Sequence, residues 1–347
     1  MNIQKILLGL LKRLPSFVIR RMAGVPLEID GNVLDPHIHL LARQAEKQEI
    51  DFSDILQARK NINEMMSVLN AGRRAGVSVS DTTIKGEGST LGIRIYTPTI
   101  KGKMKKTLPA VLFFHQGGLV VMDVDSNDTF CTIMADICGA CVISLDYRLC
   151  PEHKFLDTHA DAKTLWDYVQ ANAEALAIDA SRVGVAGDSA GGLLASVLCQ
   201  RLQEAGGTQP KAQLLVYPWV STSFRAQDGA YEGSMASCAE CFPLDSATME
   251  FFTAQVFPND EGIEHPFANP LARENLAGLP SAIVATAGFD PIRDQGNQYA
   301  KRLSAAGVSV THYCFGSLSH SFLSMGNVSH ATTEASEQLA RDLAALL

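Results

Sequence analysis

Several things are missing from this chain of 347 residues, and each absence excludes something. No window holds the ~20 consecutive apolar residues that a membrane-crossing helix needs, so no stable span is expected. The apolar run ILLGLL after Lys5 is interrupted by Lys12 and Arg13, and no small-residue cleavage site follows, so it reads as mature sequence and not as a secretory leader. Positive charge is in deficit. The 29 Lys and Arg stand against 37 Asp and Glu, a formal net charge of −8 that argues against a nucleic-acid partner. Repeats and low-complexity tracts are absent, and 46% hydrophobic with 19% charged residues excludes disorder. The glycine-rich turn at 187–192 has neither G-x-G-x-x-G nor G-x-x-x-x-G-K-[ST], so it lacks the spacing that cradles a phosphate.

Cysteine is present, but not in a pattern that commits it to chemistry. Of the eight, Cys138/Cys141 and Cys238/Cys241 form C-x-x-C pairs about a hundred residues apart, in segments of different type. Cys141 opens the apolar run CVISLDY and so points into a core, and CGAC precedes a strand instead of opening a helix. Reduced, buried thiols and a cytoplasmic setting are therefore expected, with no metal. The pair His37 and His39 has an H-x-H spacing but sits in an amphipathic helical stretch, and a metal role is set aside. No cofactor is called for. The N-terminal Lys5, Lys12, Arg13, Arg20 and Arg21, with no acid before Glu28, allow a basic membrane-surface helix; the expectation is instead a helix that packs its Ile and Leu side on the protein's own body.

What is there is an order of elements. Residues 1–75 read as helical. The stretch 77–98 reads as two strands around a turn with Gly86 and Gly88, after which strand-like and helix-like runs alternate to the end. That alternation predicts an α/β fold with a mainly parallel central sheet and helices on both faces, with ligands beyond the carboxyl ends of the strands. The segment 221–264, rich in Ser, Met, Phe and acids, has no strand run and is too long for an ordinary connection. The predicted organisation is an N-terminal helical part of a cap (1–75), a first catalytic part (76–220), a cap insertion (221–264) and a second catalytic part (265–347).

The turn itself reads Gly187-Asp188-Ser189-Ala190-Gly191, between the strand-like RVGVA and a helix-like LLASVLCQRL. G-x-S-x-G in that context exposes a serine on a strained strand-to-helix turn. A serine hydroxyl needs a base, and the base needs a partner that fixes its tautomer. Asp290 closes the apolar run AIVATAGFD at a strand end, with Asp294, four residues on, ranked second as a cap or ion-pair residue. His320 lies in the small-residue loop after the strand VSVTHYCF, whereas His312 is within that strand and His330 precedes the last helix. The order Ser189, Asp290, His320 is that of the α/β hydrolases. In FFHQGGLV, the N–H groups of Gly117 and Gly118, together with that of Ala190, can receive the charge that develops on a carbonyl oxygen, and His115 orients their loop.

These motifs resemble the bacterial hormone-sensitive-lipase family of esterases: HQGG is similar to its H-G-G-G, YRLCPEHKF to its Y-R-L-A-P-E-H-P-F, GDSAGG to its elbow and DPIRDQG to its D-P-L-R-D-E-G. The resemblance implies an α/β-hydrolase fold with a helical cap over an acyl pocket. It also implies a serine carboxylesterase acting on short-chain esters through an acyl-enzyme, with a small-molecule ester as partner and a homodimer left open. The same triad could serve a lactone or amide, and the plant gibberellin receptor keeps the elbow without the histidine, so a non-catalytic binding protein is the reading that His320 argues against. Gln116 replaces a family glycine, which leaves open a strained positive φ or an ordinary conformation without strain, and the side chain could also reach the alcohol portion of the substrate.

Overall fold

The computed structural model describes residues 3–45, 51–99, 107–225 and 229–347; a few residues of the predicted 1–75, 76–220 and 221–264 ranges lie outside them. Six short elements come first: α1 (Ile3–Lys12), α2 (Ser16–Ala23), β1 (Glu28–Ile29), β2 (Asn32–Val33), α3 (Pro36–Ala45) and α4 (Ile55–Leu69). The antiparallel strands β3 (Val77–Lys85) and β4 (Thr90–Pro98) follow. Strands and helices then alternate through β5 (Leu108–Phe114), α5 (Asp128–Cys138), β6 (Cys141–Asp146), α6 (Phe155–Ala171), β7 (Ile178–Asp188), α7 (Ala190–Glu204) and β8 (Ala212–Val216). After α8 (Ser234–Ser237) and α9 (Ser246–Val256) the rhythm resumes with β9 (Ser281–Phe289), α10 (Arg293–Ala305), β10 (Val310–Ser319) and α11 (His330–Leu346).

Eight strands form one sheet in the order β10-β9-β8-β7-β5-β6-β4-β3. Only the pairings of β4, with β3 and with β6, are antiparallel. The inner strands read as near-continuous apolar runs because both faces are covered: β8 is buried at every residue, and β9 at every residue after Ser281. The edge strand β3 is mostly exposed and carries Asp81 and Lys85, charges that discourage further pairing. Among the described residues no helix is long and apolar enough to cross a membrane.

Three local readings need correction and one detail is added. The turn Asp30-Gly31 folds β1 onto β2, a hairpin too short to show a strand period in the sequence. Helix α11 begins at His330, not after it, because the Ser329 hydroxyl accepts from Ala331 N and caps the helix there. The 221–264 segment carries one isolated bridge, Arg225 with Tyr231. Finally, α1 packs only part of its apolar surface. Leu8 and Leu11 lie against the body, where Lys5 Nζ also donates to Ser67 O and Lys12 Nζ to Gly326 O and Thr333 Oγ1, while Ile3, Ile6, Leu7 and Leu10 are exposed. The helix is apolar on more than one side, and the body covers only one.

Candidate active site

Strand β7 delivers Ser189 at its carboxyl end, where the chain reverses into α7. Ser189 has φ 54 and ψ −117, a left-handed backbone that costs a non-glycine residue of order 1–3 kcal/mol and persists only where neighbours over-determine it. They do so here: Ser189 N donates to Val216 O at 2.9 Å, and Ser189 O accepts from Trp219 N at 3.0 Å. The turn is also pressed against β5, since a Cβ on Gly191 would lie 1.9 Å from Phe114 O. That contact explains why a glycine is required two residues after the serine.

Beyond β8, the last two strands β9 and β10 deliver the acid and the imidazole. Asp290 directly follows β9, and β10 shifts register between Phe315 and Ser319 before releasing His320 beside it. His320 Nδ1 lies 2.8 Å from Asp290 Oδ2, and Asp290 Oδ1 accepts from Ile292 N at 2.9 Å, so the buried carboxylate is held at both oxygens. The Tyr217 ring, 4.6 Å from the His320 ring, packs against the imidazole. Asp294 is elsewhere: it pairs with Arg293 and accepts from Ser234 N, tying α10 to α8. His312 Nε2 faces Asn297 Oδ1 on the outer strand.

The loop after β5 holds His115, Gln116, Gly117 and Gly118 in the interior. Gly117 O accepts from Val120 N and Val121 N in a tight turn; among the described residues nothing accepts the N–H of Gly117 or Gly118. Ala190, as the first residue of α7, has no intrahelical acceptor either. His115 is fully buried and stacks on Tyr147 at 4.2 Å; its Nδ1 donates to Gln116 O, and Tyr147 OH donates to His115 O. Burial pushes the His115 pKa down, so the ring stays neutral. Tyr147 belongs to the YRLCPEHKF stretch, which gives that motif a physical purpose: it pins the loop.

Gln116 takes the ordinary backbone conformation, with no positive φ, and its side chain is tied to the histidine loop. Gln116 Nε2 donates to Ser324 Oγ at 2.8 Å, and Gln116 Oε1 accepts from Ser321 Oγ at 2.5 Å. Ser324 Oγ in turn donates to Ser126 O. A glutamine is long enough to bridge the two loops; glycine is not.

A second buried network escaped sequence reading. Asp188, wholly buried beside the serine, accepts from Asn127 Nδ2 and Tyr217 OH, and burial pushes its pKa up to about 7. Tyr217 OH also receives Leu323 N at 3.4 Å, reaching the same histidine loop. Tyr217 has φ 36, and nothing in YPWV announces it. Above the glycines lies Phe252 of α9, whose ring would be 2.3 Å from a Cβ on Gly118. Phe252, Phe251 and Phe52 form an aromatic cluster, with Phe52 and Phe251 centroids 4.3 Å apart. Ser189 and His320 are 6% and 3% exposed beneath this cover.

The family described by the α/β hydrolase fold matches residues 111–324. The carboxylic ester hydrolase LipN of Mycobacterium tuberculosis is 34% identical over 94% of this chain and 86% of its own length. An ethyl acetate hydrolase of Pseudomonas putida is 32% identical over 78% of this chain and 84% of its own. Among solved structures, a hyperthermophilic esterase from Pyrobaculum calidifontis superimposes with a TM-score of 0.80 at 31% identity, covering 90% of this chain and 98% of that one. With the elbow, the histidine loop and the glycine loop gathered at one sheet edge, the chain belongs to the hormone-sensitive-lipase-like α/β hydrolases and is a carboxylic ester hydrolase.

Proposed function

We propose that Ser189, Asp290 and His320 are the catalytic triad, and that the N–H groups of Gly117, Gly118 and Ala190 form the oxyanion hole. His320 takes the Ser189 proton as Oγ attacks the ester carbonyl carbon, while Asp290 holds Nδ1–H and so keeps Nε2 as the accepting nitrogen. The carbonyl oxygen becomes an oxyanion that accepts from the three N–H groups. Collapse breaks the bond to the alcohol oxygen, which leaves with the proton from His320, and a water activated by the same imidazole then releases the carboxylic acid. His115 orients the glycine loop. The observation that carries this reading is the buried 2.8 Å contact between His320 and Asp290 one strand from a strained serine.

Substrates are short-chain esters, with an acyl part of up to about eight carbons as the family resemblance implies. Phe252 pressed on Gly118 supports this reading, as does a relative named for ethyl acetate hydrolysis. The Phe52, Phe251 and Phe252 cluster also supports taking 1–75 and 221–264 together as a cap that excludes water from the acyl-enzyme. Eight unpaired thiols suit a cytoplasmic enzyme. A homodimer would find a seam along β10, which ends the sheet, and sedimentation velocity tests it. Ser189→Ala is the direct test of mechanism: turnover of nitrophenyl butyrate and labelling by a phosphonate should both vanish in a variant that melts like wild type. Full activity in that variant would refute the assignment.

A further inference from the structure

The described residues leave twelve large hydrophobic side chains exposed, and nine of them fall between Ile3 and Leu27. Such concentration is not the scattered exposure normal for a surface. Its origin is that α1 is apolar on more than one side and packs only Leu8 and Leu11 on the body. Ile3, Ile6, Leu7 and Leu10 recur at helical spacing on one face, continued by Leu14 and Phe17, which is 74% exposed. The opposite face carries Lys5 and Lys12, whose ammonium groups hydrogen-bond to the body, and Leu8 and Leu11, which pack on it. The helix is thus fastened on one side and presents the rest of its hydrocarbon to the surroundings.

The charge around this face is equally one-sided. Residues 1–27 contain five cations and no acid, in a chain of formal net charge −8. Lys5 and Lys12 are engaged below, but Arg13, Arg20 and Arg21 are exposed and, among the described residues, pair with no carboxylate. An apolar stripe flanked by unpaired arginines matches a surface that offers acyl chains beneath anionic headgroups. A second copy of this chain matches poorly, because a two-fold contact would set the two arginine clusters against each other. A span is excluded by length: ten residues of α1 rise only about 15 Å.

We propose that the α1–α2 face is a docking surface for an anionic lipid bilayer, on which the protein lies peripherally with the Ile and Leu stripe in the interface and Arg13, Arg20 and Arg21 on the headgroups. The idea is independent of the catalytic assignment, since it uses none of its residues.

The test is sedimentation of the full chain with vesicles of phosphatidylglycerol and phosphatidylcholine in equal parts, and with phosphatidylcholine alone, at low salt and in about 0.5 M salt. Binding is expected on the anionic vesicles at low salt, falling roughly tenfold or more on phosphatidylcholine or in high salt. Leu7→Asp/Leu10→Asp/Phe17→Asp should abolish it, and Arg13→Gln/Arg20→Gln/Arg21→Gln should weaken it roughly tenfold or more. Circular dichroism and thermal melting establish that both variants fold. The proposal is overturned if folded wild type stays in the supernatant with anionic vesicles at low salt, or if the Asp variant sediments as well as wild type. It is also overturned if wild type is a dimer that the Asp variant converts to monomer, which would assign the face to a second copy.

Discussion

The carboxyl edge of the central sheet and the α1–α2 segment handle polarity in opposite ways. At the sheet edge, Asp188, Asp290, Gln116, Ser321 and Ser324 are buried and each side chain is hydrogen-bonded to a neighbour on another element, while buried His115 is tied through its carbonyl to Tyr147 OH. In α1 the lysines are turned in together with Leu8 and Leu11, while Ile3, Ile6, Leu7 and Leu10 are turned out. Burial at the sheet edge leaves a polar atom few positions in which it is satisfied, so geometry there is over-determined. A helix held at a surface by two ammonium groups has no such constraint, and the difference should show as a difference in what substitutions do.

The largest effect is expected where the constraint is tightest. Asp290→Asn should lower kcat by about 10⁴-fold, as loss of tautomer control does in such triads, without loss of the fold. Asp294→Asn, which touches Arg293 and Ser234 and not the imidazole, should leave kcat within about tenfold. Steady-state kinetics of the two decide the matter. A more damaging Asp294→Asn would mean that the acid has been misassigned.

Gln116→Leu comes next. It keeps the bulk but removes the bridge to Ser321 and Ser324, so the histidine loop loses one of its ties while the glycine N–H groups stay. We expect kcat to fall roughly tenfold with KM little changed, together with about 1–3 kcal/mol of lost stability from the unpaired hydroxyl. A displaced imidazole would also move the acid limb of the pH–rate profile, which a purely structural loss would leave in place. Unchanged kcat with an unchanged profile would show that the bridge only fills space.

Asp188→Asn should change the pH dependence of stability. Burial raises the Asp188 pKa from 3.8 to about 7. Between those values the folded chain keeps a proton that the unfolded chain has lost, so this group's contribution makes stability fall as pH rises across the window. Below it there is no effect, and above it the full penalty persists, roughly 4 kcal/mol at most. The variant, whose amide oxygen can still accept from Asn127 and Tyr217, should gain on wild type as pH rises from about 4 to about 7 in urea titrations. A constant difference across that range would mean that Asp188 is ionised throughout.

The same contrast explains what could be read without coordinates. The inner strands and the 187–191 turn were legible because burial on both faces leaves continuous apolar runs and because close backbone approach demands glycine at 191. Asp290 and His320 were legible as strand-end residues. The Gln116 bridge, Tyr217 and the Phe252 contact with Gly118 were not, since each depends on partners 29 to 208 positions away and leaves no local period. The seating of α1 was legible in part for a related reason: Leu8 and Leu11 pack inward, but the helix is apolar on more than one side, and the acceptors at Ser67 O, Gly326 O and Thr333 Oγ1 help to decide which side faces the body.

The smallest expected effect is that of Lys12→Met. Lys12 is half-buried, burial pushes its pKa down, and it gives two hydrogen bonds to the start of the C-terminal region. Methionine has a similar length and no ammonium, so the change removes the fastening and some desolvation cost together. The net should be about 1 kcal/mol, a small shift in the melting of so large a chain. Locally it should matter more, because α1 buries none of its residues fully and is otherwise held only by the partial packing of Leu8 and Leu11, by Lys5 and by Asn327 Nδ2 donating to Lys5 O. Hydrogen exchange should therefore accelerate in α1 amides while those of β7 and β9 stay protected. If the sheet amides accelerated equally, α1 would be coupled to global unfolding, and the loose attachment inferred from its shallow packing would be wrong.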